Sequence, residues 1–128
     1  MRWDELTREQ LSALLPEALV VVPTGATEQH GPHLATCADA LIAQTVVERA
    51  VAQADASIII APTVSYGASD HHLPYGGTLS LTVETFIAVL LDIARSVATC
   101  GGRRSTPGST RGIRPRLRHV PRARRRRG

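Results

Sequence analysis

Aromatic side chains are scarce, with one Trp, two Tyr and one Phe in 128 residues. That excludes a surface of interleaved aromatic and basic residues on which single-stranded nucleic acid could stack. Lysine is absent, so all 15 basic residues are arginine. The two cysteines, Cys37 and Cys100, fit no metal-ligand spacing, and nothing else points to an oxidising compartment where a disulfide would persist. No apolar run approaches the ~20 residues that span a bilayer. The N-terminus, MRWDELTREQLSALL, is charged and lacks the uninterrupted apolar segment of a signal peptide. These absences together predict a cytoplasmic protein with no membrane partner.

What is present is divided sharply. Residues 1–100 carry all 11 acidic residues against four arginines, a formal charge of −7, while residues 101–128 carry the other 11 arginines and no acid. The net +4 of the whole chain therefore belongs to its tail. Residues 105–128, rich in Arg, Pro and Gly with neither a strand nor a helix pattern, are expected to be disordered. The remainder, 1–104, has room for one domain with a modest core.

Thr7 and Gln10 form a capping-box pattern ahead of a short helix through Leu15, which Pro16 ends. The apolar run at 18–22 reads as a buried parallel strand with both faces covered by helices, and 57–61 reads as a second. Between them, a helix from Asp39 or Ala40 to Gln53 carries an apolar stripe of Leu41, Ala43, Val47, Ala50 and Val51, with Asp39 placed to cap it. A further helix from about Val83 to Cys100 repeats Val83, Phe86, Ile87, Leu90, Ile93, Ala94 and Val97 at helical spacing, with Thr82 as cap and Gly101 as stop. The order β-loop-α-β-loop-α predicts a layered α/β domain with a mostly parallel sheet, of which this chain supplies the N-terminal half. Functional sites in such folds gather beyond the carboxyl ends of the strands, where both long loops fall.

Chemistry concentrates in those loops. The stretch TGATEQHGPHLATCAD, 24–39, places Glu28, His30, His33 and Asp39 together, and Gly25, Gly31 and Pro32 prevent regular structure there. Carboxylates and imidazole suit zinc or manganese, and a carboxylate can bridge two ions. Loop polarity with an N-cap at Asp39 explains the same residues equally simply, and spacing leaves His33 open between ligand, supporting donor and loop histidine. The second loop offers Tyr66, His71 and His72. Adjacent histidines in extended backbone point opposite ways, so one at most faces a given site. Tyr66 can donate to a substrate or simply pack, and Gly76 and Gly77 suit a turn or a close backbone approach.

The stretch PTGATEQHGPHLATCAD strongly resembles the signature of the creatininase (creatinine amidohydrolase) family, and YGASDHHLPYGGTLSL is similar to that family's second conserved segment. The resemblance covers roughly residues 4–104. It implies a metal-dependent hydrolase acting on non-peptide, including cyclic, amide C–N bonds, with some relatives processing formamides or the precursor peptide of a redox cofactor. It further implies two divalent ions, zinc or manganese, a small-molecule amide substrate and a homo-oligomer. Carried over by position, Glu28 resembles the ligand of one ion, His30 that of the other, and Asp39 the bridging carboxylate. His33 is similar to a site-lining residue, and His72 and Tyr66 would line the substrate pocket as catalytic candidates, with Glu84 left on the helix surface. Cys37 and Ala38 stand where relatives carry a small pair such as Gly-Thr.

Family members continue into an apolar strand ending in Asn-Gly-His, which supplies another metal-ligand histidine, and a further carboxylate ligand comes later. Neither is in this sequence, and His119 follows no such strand. The abrupt arginine-rich switch after Arg104 is what truncation or a shifted reading frame would produce, and the other two frames of the coding DNA are expected to contain the missing strand. With the later ligands absent, the expectation is weak metal binding and little or no turnover. The rival reading is a non-catalytic protein whose basic tail grips nucleic acid through phosphate alone, with affinity falling steeply as salt rises.

Overall fold

Thr7 opens the first helix of the computed structural model, which describes residues 1–101. Its hydroxyl accepts from Gln10 N at 3.3 Å while Gln10 Oε1 accepts from Thr7 N at 2.8 Å, so the expected capping box is complete. The helix α1 covers Arg8–Leu14. Leu15 at its end is buried, and Pro16, which has no N–H to give, lies beyond it.

Two short strands follow the reading of the apolar runs. β1 (Leu19–Val21) and β2 (Ile58–Ile60) pair in parallel, Leu19 with Ile58 and Val21 with Ile60. On the other side of β2 lies the chain start, which the sequence did not announce as a strand. Ile60 N donates to Met1 O at 2.8 Å, the Met1 amine donates to Ile58 O at 3.2 Å, and Arg2 bridges to Ile60 in parallel. β2 is therefore flanked on both sides. Ile59 is fully buried and Ile60 and Ala61 nearly so.

β1 departs from expectation. The run at 18–22 was expected to be covered on both faces, yet Leu19 is 62% exposed. Among the described residues β1 has a strand neighbour only on the β2 side, so an edge position accounts for the exposure.

The helices α2 (Ala38–Ala52) and α3 (Val83–Cys100) complete a layered α-β-α arrangement with its small parallel sheet. α2 packs on β2 through a face of Ala40, Ala43, Val47 and Val51. Leu41 and Ala50, assigned to that stripe from the sequence, instead face solvent, because Ala40 takes the innermost place and Leu41 lies about 100° further round the helix. Thr82 caps α3 by accepting from Thr85 N at 3.2 Å. α3 brings Ile93 and Val97 to a groove shared with Trp3, Ala61 and Pro62. Val83, Ile87 and Leu91, at a spacing of four, point outward and are 57%, 51% and 59% exposed. The arginine-rich tail, and with it His119 and the reading of disorder over 105–128, lies outside the described residues.

Candidate metal centre

The two long loops are laced to each other beyond the strand ends. Val64 N donates to Pro23 O at 2.9 Å, Gly25 N to Val64 O at 3.0 Å, and Leu79 N to Thr27 O at 2.9 Å. Thr27 Oγ1 adds a bond to Ser65 O at 2.7 Å. Each bond joins residues about 40 or more apart in sequence, so the loops behave as irregular continuations of the sheet. Glu28 N donates to Thr36 O at 3.0 Å, which folds 28–36 back on itself and returns the chain to the start of α2.

Gly25 sets how near that helix comes. A Cβ on Gly25 would sit 2.5 Å from both C and O of Asp39 and 2.6 Å from Ala40 N. Only hydrogen fits there. The loop backbone thus lies directly against the first turn of α2 and brings the Asp39 carboxylate to the loop. Asp39 is not the helix cap, as the simpler reading of the sequence supposed. Cys37 holds that position without a side-chain cap bond, and Asp39 lies inside the first turn.

Glu28, His30 and Asp39 meet there, each offering one ligand atom within 4.8 Å of the others. That is the scale of one coordination sphere, in which opposed ligands at ~2.1 Å from an ion stand about 4.2 Å apart. The carboxyl of Glu28 and the imidazole of His30 are 17% and 19% exposed, and the Asp39 carboxyl 38%, so the cluster is half-sunk and reachable. His30 Nδ1 lies 2.9 Å from the Glu28 carbonyl oxygen. A carbonyl can only accept, so Nδ1 carries the proton and Nε2 is the nitrogen left to bind. Nε2 points at Asp39 Oδ1, 3.2 Å away.

Without a cation between them, that approach favours a second proton on the ring. The His30 pKa is raised above the ordinary imidazole value, first by the bond to the Glu28 carbonyl, with burial opposing and the Asp39 and Glu28 carboxylates adding to the rise. The donor set therefore favours a positive charge beside its two carboxylates. A proton supplies it at low pH, and a divalent ion fits the same demand through two oxygens and one imidazole nitrogen.

The other candidates are more scattered. His72 is half-buried and its Nε2 lies 3.4 Å from Glu28 Oε1, so the second loop does reach the cluster. Asp70–Tyr75 forms a 3₁₀ turn rather than extended backbone. The rings of His71 and His72 consequently lie side by side, 4.2 Å between centroids, instead of on opposite faces, although His72 alone meets the cluster. Gly76 and Gly77, at φ +74° and +71°, turn the chain back from this segment toward Thr78, in a conformation that residues with a Cβ rarely adopt. His33 is exposed in the turn between His30 and Leu34, and Tyr66 is 48% exposed; neither belongs to the ligand group. Gln29 and Thr78 were not singled out from the sequence. Gln29 N donates to Thr78 Oγ1 at 3.0 Å, and its side-chain Nε2 lies 2.8 Å from His72 Nδ1. The only sequence signal for Gln29 was its place between Glu28 and His30.

The fold is that of a layered α/β protein, with three side chains that could hold a metal ion beyond the ends of its parallel strands. The family model for creatinine amidohydrolase matches residues 4–106. The chain belongs to the creatininase family. A mycofactocin precursor peptide peptidase of Mycolicibacterium smegmatis is 42% identical over 96 residues, covering 72% of this chain and 38% of that protein. A creatininase structure in its Mn form superposes with a TM-score of 0.70 at 29% identity, over 80% of this chain and 42% of that one. A mutant creatininase of Zn-Zn type gives a TM-score of 0.66 at 29% identity, over 80% and 42%. The chain thus spans about two fifths of the length of these relatives. Among the described residues no helix is long and apolar enough to cross a membrane.

Proposed function

We propose that Glu28, His30 and Asp39 hold a divalent ion, zinc or manganese, in a centre built for hydrolysis of an amide C–N bond. The observation that carries this reading is their convergence within 4.8 Å, with His30 Nε2 left as the binding nitrogen. Two carboxylates and an imidazole make a three-ligand site with an open position, the arrangement of catalytic rather than structural zinc. A bound ion would polarise the amide carbonyl and make a water nucleophilic near neutral pH. Asp39 would reach such an ion from helix α2 and Glu28 and His30 from the loop, and the resemblance to the family makes Asp39 the carboxylate that a second ion would share. His72 and Tyr66 lie on the second loop, where a substrate would approach, and His33 borders the first.

The family resemblance implied a non-peptide amide. The greater identity to a precursor peptide peptidase, 42% against 29% for the creatininase structures, favours a short peptide amide instead. Three ligands serve one ion. A paired centre of the Zn-Zn kind needs donors beyond them, so this chain alone is expected to bind metal weakly and to turn over little. The alternative role, phosphate binding by the arginine tail, falls on residues outside those described.

The test is metal stoichiometry and affinity by calorimetry on the full chain, with Zn²⁺ and Mn²⁺, beside Asp39→Ala. The parent is expected to bind one ion, and Asp39→Ala to lose at least tenfold in affinity while keeping its helical content. Equal binding by the two proteins would reject the site.

A further inference from the structure

The tripeptide Glu28-Gln29-His30 treats two histidines in opposite ways. The Glu28 carbonyl accepts from Nδ1–H of His30 and leaves Nε2 as the nitrogen that can offer a lone pair. The Gln29 side chain does the reverse to His72. Gly31 N donates to Gln29 Oε1 at 2.9 Å, which fixes the amide's orientation and leaves its NH₂ as the group 2.8 Å from His72 Nδ1. An NH₂ can only donate, so His72 Nδ1 must accept and its proton resides on Nε2. That Nε2 lies 3.4 Å from Glu28 Oε1, a distance that a small approach of the carboxylate would close into a hydrogen bond. A nitrogen carrying a proton cannot ligate a metal. His72 is thereby removed from competition for the ion although it stands beside the ligands.

We propose that Gln29 is a positioning residue which, through its amide bond to His72 Nδ1, holds an N–H of His72 toward Glu28 and so orients that carboxylate for metal binding. The inference rests on the reading of Glu28 as a ligand. Gln29 is itself held at both ends, by Thr78 Oγ1 on its backbone N–H and by the Gly31 amide on its side-chain oxygen. The orientation is therefore imposed by the loop and not chosen by the imidazole. Supporting hydrogen bonds to metal ligands commonly govern affinity by about 10–100-fold.

Three substitutions in the full chain separate this role from simple packing. His72→Gln keeps an N–H near the place of Nε2, whereas His72→Asn keeps only a group near the place of Nδ1, and Gln29→Leu keeps bulk without the donor. Zn²⁺ affinity by calorimetry is expected to fall about tenfold or more in His72→Asn and Gln29→Leu and to stay within about threefold of the parent in His72→Gln. In ¹⁵N-histidine-labelled, metal-free protein, two-bond proton–nitrogen correlations are expected to show His72 protonated at Nε2 in the parent and to lose that preference in Gln29→Leu. Parent-like affinity in both His72→Asn and Gln29→Leu, or an Nδ1–H His72 in the parent, would overturn the inference while leaving the metal site standing. A parent chain that binds no Zn²⁺ would overturn the metal reading itself, and this inference with it.

Discussion

Replacing Gly25 by alanine tests how the centre is assembled, because the residue carries no side chain of its own and acts only through the space it leaves against Asp39. The added Cβ would lie 2.5 Å from the Asp39 carbonyl carbon and oxygen and 2.6 Å from Ala40 N. Ordinary contact begins near 3.4 Å, so the loop and the first turn of α2 must separate by almost 1 Å. All three obstructing atoms are backbone, and no side-chain rotation relieves them. Overpacking of this kind costs about 1–3 kcal/mol. At ~2 kcal/mol, a domain of this size loses roughly 10 °C in its thermal midpoint. The same displacement moves Asp39 from Glu28 and His30 by several times the ~0.2 Å tolerance of a metal-ligand distance, so Zn²⁺ affinity should fall at least about tenfold. Gly31→Ala is the control. Its φ of +63° makes alanine strained by ~1 kcal/mol, but nothing lies within 4 Å of the new Cβ. It should lower the midpoint without a comparable loss of affinity. A Gly25→Ala chain with the parent's midpoint and affinity would refute the close approach as the device that forms the site.

The remaining expectations are briefer. His30 has a raised pKa and must lose its Nε2 proton to bind an ion, so calorimetric Zn²⁺ affinity should fall as pH drops through that value, with proton release on binding measurable by changing the buffer. In the metal-free chain the sign is the opposite: protonated His30 contributes stability fully below the ordinary imidazole pKa of ~6.5, and that contribution is lost as pH rises through the raised folded-state value, which thermal melts across pH will show. Ile59→Ala, at the one fully buried large side chain among the described residues, should cost about 2–5 kcal/mol in urea unfolding. Ile87→Glu together with Leu91→Glu breaks the exposed apolar row on α3 and should reduce binding of a hydrophobic dye without loss of helical circular dichroism.

Sequence reasoning succeeded where chemistry is local. The Thr7–Gln10 box, the Thr82 cap and the three helices depend on neighbours within four residues, and all formed near their expected bounds, as did the triple-isoleucine strand, whose unbroken apolar run marks it. The co-location of Glu28, His30 and Asp39 was readable because the motif is compact. It failed where a long-range partner decides. Whether Leu19 is covered depends on which strands flank β1, and whether Leu41 or Ala40 faces inward depends on one residue of helix phase. Met1 and Arg2 carry no strand pattern, yet β2 offers them an unpaired edge. Gln29 is a polar residue between two better-known ones, and only the folded second loop gives its amide a partner.

The cluster also ties binding to folding. Glu28 and His30 belong to a loop held by hydrogen bonds to the second loop, while Asp39 belongs to α2, and the buried apolar residues of the described chain are few: Leu15, Ala40, Ile59, Ile60 and Ala61. An ion held by both elements joins segments that the core fastens only at Ala40 and β2. A ligand that binds the folded chain alone adds about 2.7 kcal/mol of stability at one hundred times its dissociation constant. In so small a core that increment is comparable to burying one large aliphatic side chain. The carboxylate pair is costly without a cation, which His30 meets at low pH by taking up a proton between Glu28 and Asp39. As pH rises through the raised His30 pKa and that proton leaves, the demand for positive charge passes from the proton to the metal, so the site is least satisfied above that pKa without metal and gains most from an ion there.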